Sequence, residues 1–547
     1  ILSFSTSLML RSQVLDYGYE LHEFDPFFNF RATEFLVNNG LVEYYNWHDV
    51  KSWYPNGRDI SATSQVMLHV TAATTYQIFG SNMELYDFTI LFPGIVGALT
   101  TIIIFALVRV IGGTTAGLFA SLFFAISVPI IIRGFMGWFK SEPLGLFYGL
   151  FGLYLFLSGI KSDNKKITLS KLIGGGIFMA LGFASWGGIQ FFIIPICIFI
   201  FVLPFLRKDF GFLIWSIPAF VISLLLTTMV FERPGVDFVL GLGGFALILP
   251  TIFLITCSFV QKFSKSENQI RNYLILLLTI ILIGAFLIMF NTENQFLQYP
   301  NYRYLNVINP FLTTTNPLVD SVSEHSVTST YYSFFMHSVL MIFAGLGSWI
   351  IFNKIKFESS KDFPKHLIEF WIIFNKIKFE SSKDFPKDLM VFVLIFGLVG
   401  AYVGSAFVRL ELFTSLSIIF LSSIGLSIII REILNCKNQL HPIRNNIIKF
   451  SYVGGILILI IIPLTFSASN WNSILDTPAI ILNGGSIYNV VTNDWKESLE
   501  WIKLNTPPDS IILSWWDYGY WITTMSERTT LVDNATIDSK QIQKVAN

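Results

Sequence analysis

The chain has 547 residues, 53% of them hydrophobic and only 13% charged. Soluble domains carry about 25% charged residues, so this composition excludes an ordinary water-soluble protein. Lys plus Arg and Asp plus Glu number 36 each, which leaves no net charge to draw the chain to nucleic acid. Three cysteines (Cys197, Cys257 and Cys436) lie far apart and form neither a disulfide framework nor a metal knuckle.

A bilayer-crossing helix needs about 20 mostly apolar residues. Ile1 to Leu10 reads as the end of a first span that begins upstream, rather than as a signal peptide. Further spans are predicted at 87–108, 114–132, 143–160, 172–186, 188–205, 211–230, 236–260, 272–290, 331–352, 389–408, 410–430 and 450–466, thirteen in all. One set of alternate loops is basic: Lys161, Lys165, Lys166 and Lys171, then Arg207 and Lys208, then Lys262, Lys265 and Arg271, the Lys-rich stretch 353–388, and Arg431, Lys437, Arg444 and Lys449. With Arg109 that side holds 22 basic residues, against eight on the other: Arg31, Lys51, Arg58, Arg133, Lys140, Arg233, Arg303 and Arg409. The basic side is therefore expected to be cytoplasmic. Segments 12–86, 291–330 and everything after about 467 then face outward.

Residues 1–466 read as one multi-span membrane domain. Residues 467–547 change character. Trp495 to Lys503 has helical apolar spacing, Thr506-Pro507-Pro508-Asp509 breaks the chain, and Ser510 to Trp515 reads as a buried strand. This predicts the start of an outward-facing mixed α/β soluble domain, incomplete at its C-terminal end. Residues 349–365 recur unchanged as 371–387. A solenoid repeat would drift and recur several times, so the copy carries no functional weight.

Polar outer loops on a membrane scaffold are where a site is expected. Four stand out. The first, His22-Glu23-Phe24-Asp25-Pro26-Phe27-Phe28-Asn29-Phe30-Arg31, wedges a carboxylate among aromatics, although an interfacial aromatic belt with a capping Asp reads the same way. The second, Arg133 to Pro143, is a short hairpin holding Lys140 and Glu142, or a solvated turn with an Arg–Glu pair. The third is Asp320-Ser321-Val322-Ser323-Glu324-His325, which alone would pass for an ordinary loop with a surface histidine. The fourth, Trp515-Trp516-Asp517-Tyr518-Gly519-Tyr520-Trp521, packs five aromatics around one Asp and one Gly. A core cluster does not need that charge, whereas a recognition pocket does.

Together the motifs resemble the catalytic subunit of oligosaccharyltransferase, the membrane enzyme of asparagine-linked protein glycosylation, in its archaeal and eukaryotic form. Trp515 to Gly519 reads WWDYG, the family signature. His22 to Arg31 resembles its first acidic motif, Arg133 to Glu142 its second and Ser321 to His325 its SVSE motif, and Arg409 aligns with a late-helix arginine. The resemblance covers the whole chain.

It implies transfer of an oligosaccharide from a dolichol-type lipid phosphate or pyrophosphate to Asn in Asn-x-Ser/Thr of secreted or membrane proteins. An amide nitrogen is a poor nucleophile because its lone pair is delocalised into the carbonyl. By resemblance, Asp25 and Glu324 would accept hydrogen bonds from the acceptor amide and weaken that conjugation, since ionised carboxylates only accept. Arg409 would bind the departing phosphate, with Arg always protonated and shaped for a bidentate grip; otherwise it is a snorkelling end-of-helix residue. Arg133 would orient the carboxylates or touch the phosphate. Trp515, Trp516 and Asp517, with Glu324, would read the sequon.

The family usually carries an Asp where this chain has Lys140. Asp25, Glu142 and Glu324 remain as expected ligands of Mn²⁺ or Mg²⁺, with Lys140 pointing at the phosphate; in the other reading the Lys ammonium substitutes for the metal. Asn534-Ala535-Thr536 is itself a sequon, so Asn534 is a candidate glycosylation site. The expected partners are the lipid-linked oligosaccharide, acceptor polypeptides and membrane lipids, with the protein acting as a single-subunit enzyme or within a complex. Composition and the Lys140 variant favour an archaeal source, with the site on the outer face of the cell membrane, or on the lumenal face of the endoplasmic reticulum if the source is eukaryotic. The alternatives are a lipid-phosphate-dependent glycosyltransferase that builds the donor, in which WWDYG has no role, or a non-catalytic homologue. A secondary transporter is disfavoured, because no paired halves with broken helices are evident.

Overall fold

The computed structural model describes residues 1–207, 210–265, 268–294, 323–357, 386–435, 442–465, 479–485 and 490–546. Residues 358–365 of the first copy of the repeat, nearly all of its second copy (371–385), Ser321, Val322 and Cys436 fall outside these. The main helices are α1 (Leu2–Ser12), α2 (Asp25–Asn39), α3 (Leu85–Ile126), α4 (Ser141–Ile160), α5 (Lys165–Ser185), α6 (Ile193–Leu206), α7 (Leu213–Thr228), α8 (Leu242–Phe263), α9 (Gln269–Asn294), α10 (Thr330–His337), α11 (Val339–Phe357), α12 (Lys387–Ala406), α13 (Glu411–Asn435), α14 (Pro442–Thr465) and α15 (Asp494–Asn505).

Among the described residues, eight helices are long and apolar enough to cross a bilayer, or nine if the α10–α11 pair, bent by 96°, is one span. One of the eight is α3, whose 42 residues are two helices joined across a kink at Gly113 (φ 82°), between the two spans predicted there. At about 1.5 Å per residue it is long enough to traverse a ~30 Å hydrocarbon core twice. The short helices α1 and α7, with 11 and 16 residues, fall below that length.

Local chemistry fixes the ends. Asn164 caps α5, its side-chain oxygen accepting from the N–H groups of Lys166 (3.0 Å) and Ile167 (3.3 Å). The α4–α5 contact is close because Gly152 lies on Gly175 and Met179: a Cβ at Gly152 would stand 2.8 Å from the Met179 nitrogen. Small residues let membrane helices approach backbone to backbone. Helix α13 runs through the centre, nearly all of its apolar stretch buried. Its Phe413 packs on Phe191 at 4.3 Å and on Trp186 at 5.5 Å. Helix α9 instead turns Leu278, Leu282 and Phe286 outward, as a lipid-facing helix does.

The first long loop and the C-terminal segment share one core. Leu21 and Phe27 of the first loop pack with Ile481, Leu499, Trp521 and Ile522 of the C-terminal segment. The helix predicted around Trp495 to Lys503 is α15. The strand expected at 510–515 is a correction: only Ile511–Ile512 is extended, pairing parallel with Thr529–Thr530, and Ile511, Leu513 and Trp515 are exposed. Among the described residues this sheet has two strands; Ile512 packs toward the core shared with Trp521, while the side bearing Ile511 and Leu513 is exposed.

Candidate active site

The first acidic motif sits where the chain enters α2. Glu23 takes a left-handed backbone conformation (φ 59°), uncommon for a residue with a side chain. Two bonds hold it there: its N–H donates to the Ala479 carbonyl (2.7 Å), and its carbonyl accepts from Trp521 Nε1 (2.9 Å). Asp25, with Pro26 next to it, opens α2, where the helix dipole favours a carboxylate.

The second motif folds back onto the first. The His22 N–H donates to the Gly137 carbonyl (3.0 Å), and Gly137 donates to the Ile90 carbonyl (2.7 Å). Gly137 has φ 85°, and a Cβ there would fall 2.0 Å from the His22 ring, so the contact requires glycine. Lys140 then precedes α4 and Glu142 lies in its first turn. Glu142 is almost completely buried. The indole of Trp138 lies under both cations of the hairpin, 4.4 Å from Lys140 Nζ and 5.4 Å from the Arg133 guanidinium.

Glu324 occupies a single turn, Ser323–His325. The Val408 N–H donates to the Ser326 carbonyl (3.0 Å), and Thr328 Oγ1 donates to the Gly404 carbonyl (2.8 Å). These bonds pin the third motif against the turn carrying Arg409.

The ionised groups form two neighbouring sets of ion pairs. Lys140 Nζ contacts Glu23 Oε2 and lies 3.2 Å from Asp25 Oδ2. Arg133 reaches Glu324 at 2.8 Å and Glu142 at 3.9 Å. Arg409 reaches Glu142 at 3.2 Å and Glu324 at 3.8 Å. Arg409 is thus part of the carboxylate cluster, not a lone snorkelling residue. Burial would raise the Glu324 pKa, but Arg133, Arg409 and Lys140 together hold it down at about 2. Burial would likewise lower that of Lys140; Asp25, Glu23, Glu142 and Glu324 outweigh it and push the value above the ordinary lysine range. Glu142, Lys140 and Arg133 sit in deep cover, where a charge must be paired, while Glu23, Asp25, Glu324 and Arg409 are partly open.

The WWDYG segment adjoins this cluster. Asp517 is raised above the ordinary Asp pKa by burial and by the negative charge of Asp25 and Glu23, against a hydrogen bond from Trp515 Nε1 (3.1 Å). Trp516 Nε1 is buried and donates to no other described group. Tyr518 stacks on Trp495 at 4.5 Å and meets Phe24 edge-on at 5.7 Å. Behind it, Arg58 Nη1 donates to the Tyr520 hydroxyl (3.0 Å) and lies 3.8 Å from Asp533, while Trp53 Nε1 donates to Asp533 (2.7 Å).

Asp25, Arg133, Lys140, Glu142, Glu324 and Arg409 therefore converge, with Asp517 within electrostatic reach. Asn534 lies apart, half-buried in the turn after Asp533 with its side-chain oxygen covered. His325 packs its ring at 5.7 Å from Phe407. Sequence reasoning missed Glu23, Trp138 and the Arg58–Tyr520–Asp533 brace. Glu23 lies within the first motif, but nothing local marks it apart from Asp25; the brace had no local signal.

The expected metal fits poorly. Asp25 is held by Lys140, while Glu142 and Glu324 share the two arginines. Among the described residues no three His, Cys, Asp or Glu side chains converge in an arrangement that could hold an ion.

Fold and site define a multi-span membrane enzyme with a charged centre at one end of its helix bundle, covered by an aromatic-rich outer segment. The family described as oligosaccharyl transferase STT3, N-terminal, matches residues 13–414, and the STT3/PglB/AglB core domain matches residues 508–546. The STT3B subunit of dolichyl-diphosphooligosaccharide–protein glycosyltransferase from Oryza sativa subsp. japonica is 26% identical over 97% of this chain and 74% of its own length. The STT3 subunit from Dictyostelium discoideum is also 26% identical, over 100% and 73%. Among solved structures, Archaeoglobus fulgidus AglB in complex with an inhibitory peptide and a dolichol-phosphate superposes with a TM-score of 0.70 at 15% identity, covering 100% of this chain and 67% of that one. The chain belongs to the STT3 family of oligosaccharyltransferase catalytic subunits. It is accordingly a glycosyltransferase that moves an oligosaccharide onto protein asparagine.

Proposed function

We propose that the donor is an oligosaccharide on a dolichol-type phosphate or diphosphate and that the acceptor is Asn in Asn-x-Ser/Thr. The observation that supports this is the meeting of four sequence-distant motifs at one centre, with carboxylates beside two arginines. In this reading Asp25 and Glu324 accept from the acceptor amide N–H groups, which weakens amide conjugation and frees the nitrogen lone pair. Arg409 moves part of its hydrogen bonding to the departing phosphate, and Arg133 keeps Glu324 ionised and orients both Glu324 and Glu142. Asp517 and the free Trp516 N–H lie on the acceptor side, one accepting from and the other donating to the Ser/Thr hydroxyl. A site built to pair a hydroxyl rejects the analogue lacking it by about 10⁴-fold.

The rest of the reading is a multi-pass protein of thirteen spans, with the active site on the extracytoplasmic face and lipids around the bundle. It acts as a single subunit or within a complex. Asn534 is half-buried in its turn, and its sequon is a candidate for modification; peptide mapping that finds only bare Asn534 in protein from an active strain would reject this. The deciding experiment incubates purified protein with lipid-linked oligosaccharide and paired Asn-x-Thr and Asn-x-Ala peptides. Glycopeptide from the Thr peptide alone is expected. Extension of the lipid-linked glycan, with no glycopeptide, would establish donor building instead; neither product would establish a non-catalytic homologue.

A further inference from the structure

Every carboxylate at the centre already faces a fixed cation. Glu142 and Glu324 lie between Arg133 and Arg409, and the remaining pair, Glu23 and Asp25, converges on Lys140. The Lys140 ammonium is built in: the residue is 9% exposed, and its Nζ rests on the Trp138 ring while pairing with both acids. A divalent ion held by Asp25, Glu142 and Glu324 would have to displace it and then sit beside three positive side chains. Charge equivalence points the same way. Replacing an acid by lysine adds two units of charge, which is what a divalent ion would contribute to the acid-bearing site.

We propose that Lys140 is the resident cation of this centre, supplying between the Glu23–Asp25 pair and Glu142 the positive charge that the family resemblance assigns to Mn²⁺ or Mg²⁺, so that transfer proceeds without a bound metal. Lys140 donates to Glu23, holds Asp25 in place through an ion pair (3.2 Å) and adds a fixed field toward the departing phosphate. It stays protonated throughout, because four carboxylates surround it, and it acts neither as base nor as nucleophile.

The activity part of this inference rests on the transferase reading; the metal-binding part does not. The test titrates the chelator-treated full chain with Mn²⁺, followed by electron paramagnetic resonance, and in parallel measures glycopeptide formation in EDTA. The wild-type chain should bind no stoichiometric Mn²⁺ at this centre. EDTA should change transfer by less than about twofold, while Lys140→Ala should lower it by about 10²–10³-fold, the scale of losing one preorganised charge. Lys140→Asp should be inactive in EDTA, bind one Mn²⁺ and regain transfer with it. One Mn²⁺ per wild-type chain, lost in Asp25→Asn, would overturn the proposal, and that measurement needs no lysine variant to fold. A folded Lys140→Asp chain that takes up no Mn²⁺ would overturn it too. If no condition yields glycopeptide, the transferase reading fails, and the Mn²⁺ titration still decides the role of Lys140.

Discussion

Gly137 shows how one residue joins two motifs. Its left-handed φ excludes most side chains at a cost of roughly 1–2 kcal/mol, and the His22 ring fills the space a Cβ would need. Gly137→Ala should therefore destabilise the protein by at least about 2 kcal/mol, counting conformation and clash together. Thermal unfolding followed by Trp fluorescence measures this. Adding His22→Ala should recover the clash but not the backbone cost; no recovery would show that the contact is not the cause. Asp517 offers a second residue-scale test. Burial and the nearby acids Asp25 and Glu23 raise its pKa, so its ionised, hydroxyl-accepting form is lost as pH falls through that raised value. Peptide affinity should accordingly decline at a higher pH than an ordinary aspartate's 3.9 or so would give, and Asp517→Asn should abolish the decline. Asp25, Arg133, Glu142 and Arg409 were legible in the sequence because charge beside a span is expensive and so conspicuous. Glu23 was not, since nothing local tells which of two acids flanking Phe24 meets a lysine from another motif.

At the scale of elements, the first outer loop and the C-terminal segment are braced by buried groups with no periodicity to betray them. Two histidines belong here. His22 packs under Gly137, and His69 bridges Tyr44 (2.6 Å) and Asn29 (3.0 Å). Burial pushes both imidazoles down to about 3. The unfolded chain, with histidine pKa near 6.5, takes up protons that the folded chain refuses. Their contribution to stability is therefore complete above about pH 6.5 and lost progressively as pH falls toward 3, with a slope of up to about 2.7 kcal/mol per pH unit for two groups. Unfolding at stepped pH should show this slope, and His69→Gln should halve it; an unchanged slope would rule out His69 as a contributor. The helices α4, α8 and α9 were legible from apolar length alone, while α5 starts at Lys165, ahead of the short span predicted from 172. The strand at 510–515 was misjudged because an apolar run reports burial only when a second layer covers it, and Ile511 and Leu513 have none among the described residues.

The whole molecule places opposite chemistries at the two ends of its helices. Helix α4 begins beside Glu142 at the charged centre and ends at Lys161, whose Nζ donates to the Val110 carbonyl (2.7 Å) at the far end. Arg207 pairs with Asp388 at that same end, where it also donates to the Ile160 carbonyl (3.2 Å). Twenty residues of helix span about 30 Å, the thickness of the hydrocarbon core, so centre and basic loops are separated by the bilayer itself. The lysine-rich loops resist translocation, which sets the orientation for all the helices at once. In the orientation proposed above the charged centre opens outward. In a chain whose native cysteines are replaced, single cysteines at Asp163 and at Glu527 should report opposite sides. An impermeant thiol reagent added to sealed vesicles of known sidedness should label Glu527→Cys from the extracytoplasmic side and Asp163→Cys only after permeabilisation. Labelling of Asp163→Cys from that side would invert the topology and place the charged centre in the cytoplasm, where secretory acceptor chains do not pass.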